Sequence, residues 1–144
     1  MGEGNVSEIL ATRHRPRGVG IYTRRMSKKH HGTPLQSARR ASESGLSFVC
    51  MLGIWQDRKG HQDLVDSEKE EAYAQAYQEA GLDVWIWGYP KRGQEKPFAE
   101  DLCEHARRMN AVGVVVDPEV TYKRHPHAIK DLYLEVVNNL DESL

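Results

Sequence analysis

Apolar runs alternate with amphipathic stretches four times along this chain, and this alternation restricts its fold more than any other feature. The runs are Gly18 to Tyr22, Ser47 to Trp55, Asp83 to Tyr89 and Gly113 to Val116, recurring about every 30 residues. Each reads as a strand. The helical stretches run from Pro34 to about Ser44, from Ser67 to Ala80, through Phe98, Leu102, Ala106 and Met109, and from about Ala128 to Leu140. Strands that alternate with helices predict a parallel sheet with right-handed crossovers. The second and fourth runs are apolar on both faces, as strands of such a sheet are.

Local signals support the division. Pro34 suits a first helical turn, and Gly45 and Gly81 are natural helix stops. The second helix carries Ala72, Tyr73, Ala76, Tyr77 and Ala80 at helical spacing, and Ser67 with Glu70 makes a capping box. The last helix shows Ile129, Leu132, Val136 and Leu140 at the same period. Ser27 to Thr33 and Gln56 to Asp66 read as polar loops. Two helices end in a similar way, with glycine followed by leucine at 45–46 and 81–82, a turn typical of (βα) barrels. Four units amount to half of such a barrel, which has eight strands in ~250 residues. The expected fold is therefore α/β, with four β-α units forming a parallel, partial (half) TIM-barrel-like sheet. Residues 1–16 are patternless and read as a flexible lead-in, and 17–144 form a single α/β domain.

Composition narrows the function. The 144 residues are 39% apolar and 28% charged with a formal net charge of −1, so bulk charge points to no polyanionic partner. Residues 11–40 nevertheless carry nine Lys/Arg and no Asp/Glu. That segment reads as a solvated arm and first strand pairing with acidic helices. It lacks the interleaved aromatics of a single-strand binder, so nucleic acid is not the expected partner. Cys50 and Cys103 have no CxxC spacing and read as buried, reduced thiols. No apolar run reaches 18 residues, and Met1 to Leu10 lacks an apolar h-region. The expected setting is the cytosol, or release without a Sec signal, with no membrane partner. No glycine-rich phosphate loop or nucleophile elbow occurs, and no cofactor is expected.

The chemistry concentrates where the fourth run ends, at Asp117-Pro118-Glu119. Side chains two apart on a strand share a face, and the C-terminal edge of a parallel sheet is where ligands bind. The same alternation puts Trp85, Trp87 and Tyr89 opposite Val84 and Ile86, and Val115, Asp117 and Glu119 opposite Val114 and Val116. Trp55 and Asp57 leave the second strand, and Tyr22 and Arg24 the first, at the same rim. Carboxylates beside flat aromatic rings suit a carbohydrate. Two close carboxylates repel, so one holds its proton near neutral pH. Glu119, with its longer reach, is the expected acid. The plainer reading is that Asp117-Pro118-Glu119 only opens a polar loop and that the tryptophans only pack.

The segment from Gly81 to Pro90, the helix after it, and Gly113 to Val120 together resemble glycoside-hydrolase-type (βα) barrels. The layout is similar to the lysozyme-like family-twenty-five muramidases and relatives with an Asp-x-Glu after strand four. The resemblance spans residues 17 to 140. It implies catalysis by Glu119 as proton donor with Asp117 as its partner, and a polysaccharide or peptidoglycan strand held by Trp55, Asp57, Trp85, Trp87, Tyr89 and Tyr22. The acidic residue those families carry after strand one has no counterpart after Tyr22. Half a barrel also calls for a homo-oligomer or a partner chain to complete it. Two other readings stay open. One is a non-catalytic half-barrel that binds or assembles. The other is a metal-dependent hydrolase using His125 and His127 with the two carboxylates. His30 and His31 sit in the basic loop, and His61 and His105 read as surface residues.

Overall fold

The computed structural model describes residues 16–56, 62–64 and 67–141. The expected lead-in lies outside them apart from Pro16, and so do Asp57 and His61. In chain order the elements are β1 (Gly20–Thr23), α1 (Lys28–His31), α2 (Pro34–Glu43), β2 (Phe48–Gln56), β3 (Gln62–Leu64), α3 (Ser67–Glu79), β4 (Asp83–Tyr89), α4 (Glu95–Arg108), β5 (Gly113–Val116), a 3-10 turn (Val120–Tyr122) and α5 (Pro126–Asp141). The sheet order is β1-β2-β4-β5, all parallel, and β3 pairs antiparallel with the end of β2. These four parallel strands are the four expected units, joined in sequence order.

Two loops hold more structure than their polarity foretold. Ser27 to Thr33 contains the single turn α1, whose Ser27 hydroxyl accepts from the His30 amide at 3.2 Å. The loop after β2 folds back as β3, pairing Gln62 to Leu64 with Gln56 to Ile54. At the start of α2, Thr33 and Gln36 cap each other reciprocally at 3.2 and 3.0 Å. Gly45 (φ 78°) and Gly81 (φ 88°) supply the left-handed turns that let α2 and α3 re-enter the sheet.

The helices pack on one face of the sheet. Val49, Met51, Ile54, Val84 and Ile86 form the main core with Tyr73, Tyr77, Phe98, Leu102 and Met109. The inward face of α3 is turned from the expected one. Glu70, Tyr73, Ala74 and Tyr77 are buried while Ala72 and Ala80 are exposed. Glu70 accounts for the rotation: its carboxylate accepts the Met26 amide at 2.9 Å in the interior, a strong anchor for a charged group. His105, expected at the surface, is also buried, and desolvation with help from Arg108 lowers its pKa.

The opposite face carries a second cluster made of strand residues alone: Phe48, Cys50, Leu52, Trp85 and Trp87, with Trp55, Tyr89 and Val115 packed against them. Strict alternation along β2 would send Trp55 to the helix face. A register shift between Leu52 and Ile54 reverses it, so Ile54 joins the helices and Trp55 the inner cluster. Gly53 permits the bulge, since a methyl there would lie 2.6 Å from Ile86 Cγ2 and 3.2 Å from His105 Cδ2.

Candidate active site

The parallel strands deliver their C-terminal ends to one rim. There the inner face opens into a cleft of about 410 Å³ lined by Tyr22, Thr23, Arg24, Trp87, Val115, Val116 and Asp117. Strands β1 and β5 lie at opposite ends of the sheet order, so their meeting in one cleft requires a strongly curved sheet. The Trp87 indole N–H reaches across β2 to donate to the Thr23 carbonyl at 2.7 Å, which ties β4 to β1 and holds that curve.

The aromatic side chains form a connected series along the rim. Tyr22 meets Trp87 edge to face at 6.4 Å, and Trp87 meets Trp55 the same way at 6.2 Å. Trp55 stacks on Tyr89 at 4.2 Å and 10°, and the Arg24 guanidinium lies 5.7 Å from the Trp55 ring centre. These rings are not equally open. Tyr22 is 60% exposed and Trp55 is half-buried, whereas Trp87 is nearly enclosed. Trp85 is buried at 2% exposure and does not line the cleft; its open ring, expected as a platform, is taken up by packing. It lies across the adjacent Gly113, where a methyl would sit 2.5 Å from the ring.

Asp117 continues the β4–β5 ladder, its amide donating to Gly88 O at 2.9 Å, and its side chain lines the cleft. Glu119 lies beyond it, exposed, beside Tyr122, Lys123 and Arg124. The Asp117 charge and a hydrogen bond between the two side chains raise the Glu119 carboxyl above the ordinary glutamate range. The Tyr22 hydroxyl is raised too, by burial first, with smaller contributions from Cys50 and Asp117.

Two positions important at the rim are inconspicuous in the sequence. The buried Gln56 amide donates to Gln94 O at 3.3 Å and accepts from the Lys91 amide at 2.8 Å, so it pins the loop after β4. Thr23 supplies only its carbonyl to Trp87, and a carbonyl leaves no mark in a sequence. Among the described residues, no three His, Cys, Asp or Glu side chains group to hold a metal ion, and His125 and His127 are both exposed. No helix among them is long and apolar enough to cross a membrane.

Curvature, strand order and the placement of all main helices on one side define a partial (βα) barrel. A solved structure described as the complex structure of a GH113 β-1,4-mannanase shares this fold, with a TM-score of 0.58 at 14% identity over 85% of this chain. The match takes in 52% of that enzyme's chain, so this chain spans about half its length. No family model and no curated protein sequence matches the chain.

Proposed function

We propose that the rim cleft, with Glu119 just beyond it, is half of a glycoside-hydrolase-type site in which Glu119 is the proton donor and Asp117, which lines the cleft, is its partner. The observation that carries this reading is the cleft at the C-terminal edge of the parallel strands, where Asp117 shares the lining with Tyr22, Arg24 and Trp87 and is followed by Glu119, whose carboxyl the Asp117 charge raises. A carboxyl raised above the ordinary glutamate range holds its proton more firmly and can pass it to a glycosidic oxygen as the C–O bond breaks. Asp117 then faces the positive charge that develops on the sugar ring. The substrate in this reading is a polysaccharide or peptidoglycan strand lying against Tyr22 and Trp55, with Trp87 and Tyr89 around them. The mannanase fold likeness favours the first polymer and the muramidase resemblance the second.

Spacing sets the next requirement. Carboxyl pairs that flank a scissile bond stand roughly 5–5.5 Å apart in retaining enzymes and 6.5–9.5 Å in inverting ones. The Asp117 charge acts directly on Glu119, so in this reading the two serve as one acid unit and the second carboxylate is to come from a completing wall. The same observation favours the alternative, a half-barrel that binds a glycan or assembles without cleaving it. A cytosolic setting suits the two thiols, which are free and buried; burial pushes Cys50 up to about 12 and Cys103 up to about 11. The test is release of reducing ends from mannan and from peptidoglycan by the purified chain and by Glu119→Gln. Release that vanishes in the variant, with an unchanged circular dichroism spectrum, is the expected result. No release by the parent chain, or equal release by both, sinks the catalytic reading and leaves binding.

A further inference from the structure

The exposed large hydrophobic side chains among the described residues are confined to the first and last β-α units. They are Val19, Ile21, Tyr22 and Leu35 at one end and Val112, Ile129, Tyr133 and Leu134 at the other. The two middle units contribute none. Each end also has a specific shape. Beyond β5, an apolar groove of about 530 Å³ runs beneath α5, walled by Val114, Val116, Ile129, Tyr133 and Val137. A helix that follows a parallel strand covers the seam between it and the next strand, so this groove lies where a further parallel strand would pair. Trp85 also lines the groove, and its buried indole N–H has no partner among the described residues.

At the other end, β1 pairs with β2 alone among the described residues, which leave its other edge free. Ile21 and Thr23 lie in register with Val49 and Met51, which face the helices, so the exposed Ile21 sits on the helix side of a strand that has no helix beyond it among the described residues. One end therefore offers a strand with Ile21 bare and the exposed Val19 just before it, and the other an apolar strand seat that no described residue fills. Charge agrees with this fit. Residues 16–44 hold seven Lys/Arg and one Asp/Glu, while 112–141 hold five Asp/Glu and three Lys/Arg.

We propose that the occupant of the groove is β1 of a second copy, and that two copies close reciprocally about a twofold axis into an eight-stranded parallel barrel. One free strand and one seat per copy are satisfied together only in such a ring, and four strands per copy supply the number a barrel needs. Ile21 of each copy then lies on the Ile129–Tyr133 stripe of the other. This deepens the proposed reading of the cleft, because the second copy supplies the missing wall. Its test does not depend on turnover.

Light scattering of the purified 144-residue chain should give twice its 16.4 kDa mass. Ile21→Lys and Tyr133→Glu should each halve the mass while the circular dichroism spectrum stays that of the parent. Mixing the two variants should restore the dimer, since Lys meets Glu at one seam and the parent pair re-forms at the other. A monomeric parent chain overturns the proposal, as does a mixture of folded variants that stays monomeric. Dissociation by Tyr133→Glu alone points to a like-with-like β5 contact and overturns it as well.

Discussion

Asp117 and Glu119 show how adjacency on a strand becomes chemistry. Their order in the sequence predicted a shared face, but Asp117 lines the cleft while Glu119 stands exposed beyond it. The strand ends at Val116, so alternation no longer governs the direction of Glu119. The cause of the raised carboxyl makes a signed expectation. Asp117→Asn removes the neighbouring negative charge, so Glu119 should titrate lower, and the alkaline limb of any turnover profile should move down with it. Carboxyl carbon NMR across the acid range measures the titration directly, and an unmoved Glu119 would show that Asp117 is not the source. Trp85 and His105 illustrate the limits of reading single residues. A tryptophan on the correct face became packing because Gly113 left room for its ring. A lone histidine in a charged helix sank into the core because Gly53 left room for it.

At the level of elements, apolar period and glycine stops located all four parallel strands and the four main helices. The small elements α1 and β3 carried no such pattern. The turn of α1 depends on one serine cap, and β3 depends on backbone pairing, neither of which needs an apolar residue. The bulge in β2 was equally hidden, yet it decides which face Trp55 occupies. Gly53→Ala places a methyl against Ile86 in a packed core, an overpacking change that costs about 1–3 kcal/mol. Urea denaturation should show that loss, with Trp55 displaced from its Tyr89 stack. A midpoint unchanged from the parent would mean that the bulge is not held by steric exclusion.

The whole molecule is a sheet with two unlike edges and a curved inner face built entirely from strand side chains. Its half-barrel character was legible from the count of units. The location of the exposed apolar residues was not, because exposure depends on which strands end up outermost. Hydrogen exchange should rank the strands accordingly. Amides of the interior strands β2 and β4 should be the slowest, and those of β1 and β5 should slow further as protein concentration rises and copies pair. Concentration-independent exchange at both edges would speak against pairing. The tie from Trp87 to Thr23 has a consequence for the order of folding. Gly20 pairs with Phe48 and Phe48 with Asp83, so each parallel ladder closes only after a whole helical crossover has formed, the slow step for a parallel sheet. With the bend held by an indole inside this chain, the sheet can curl as soon as β4 has docked. Curvature then precedes barrel closure instead of waiting for it.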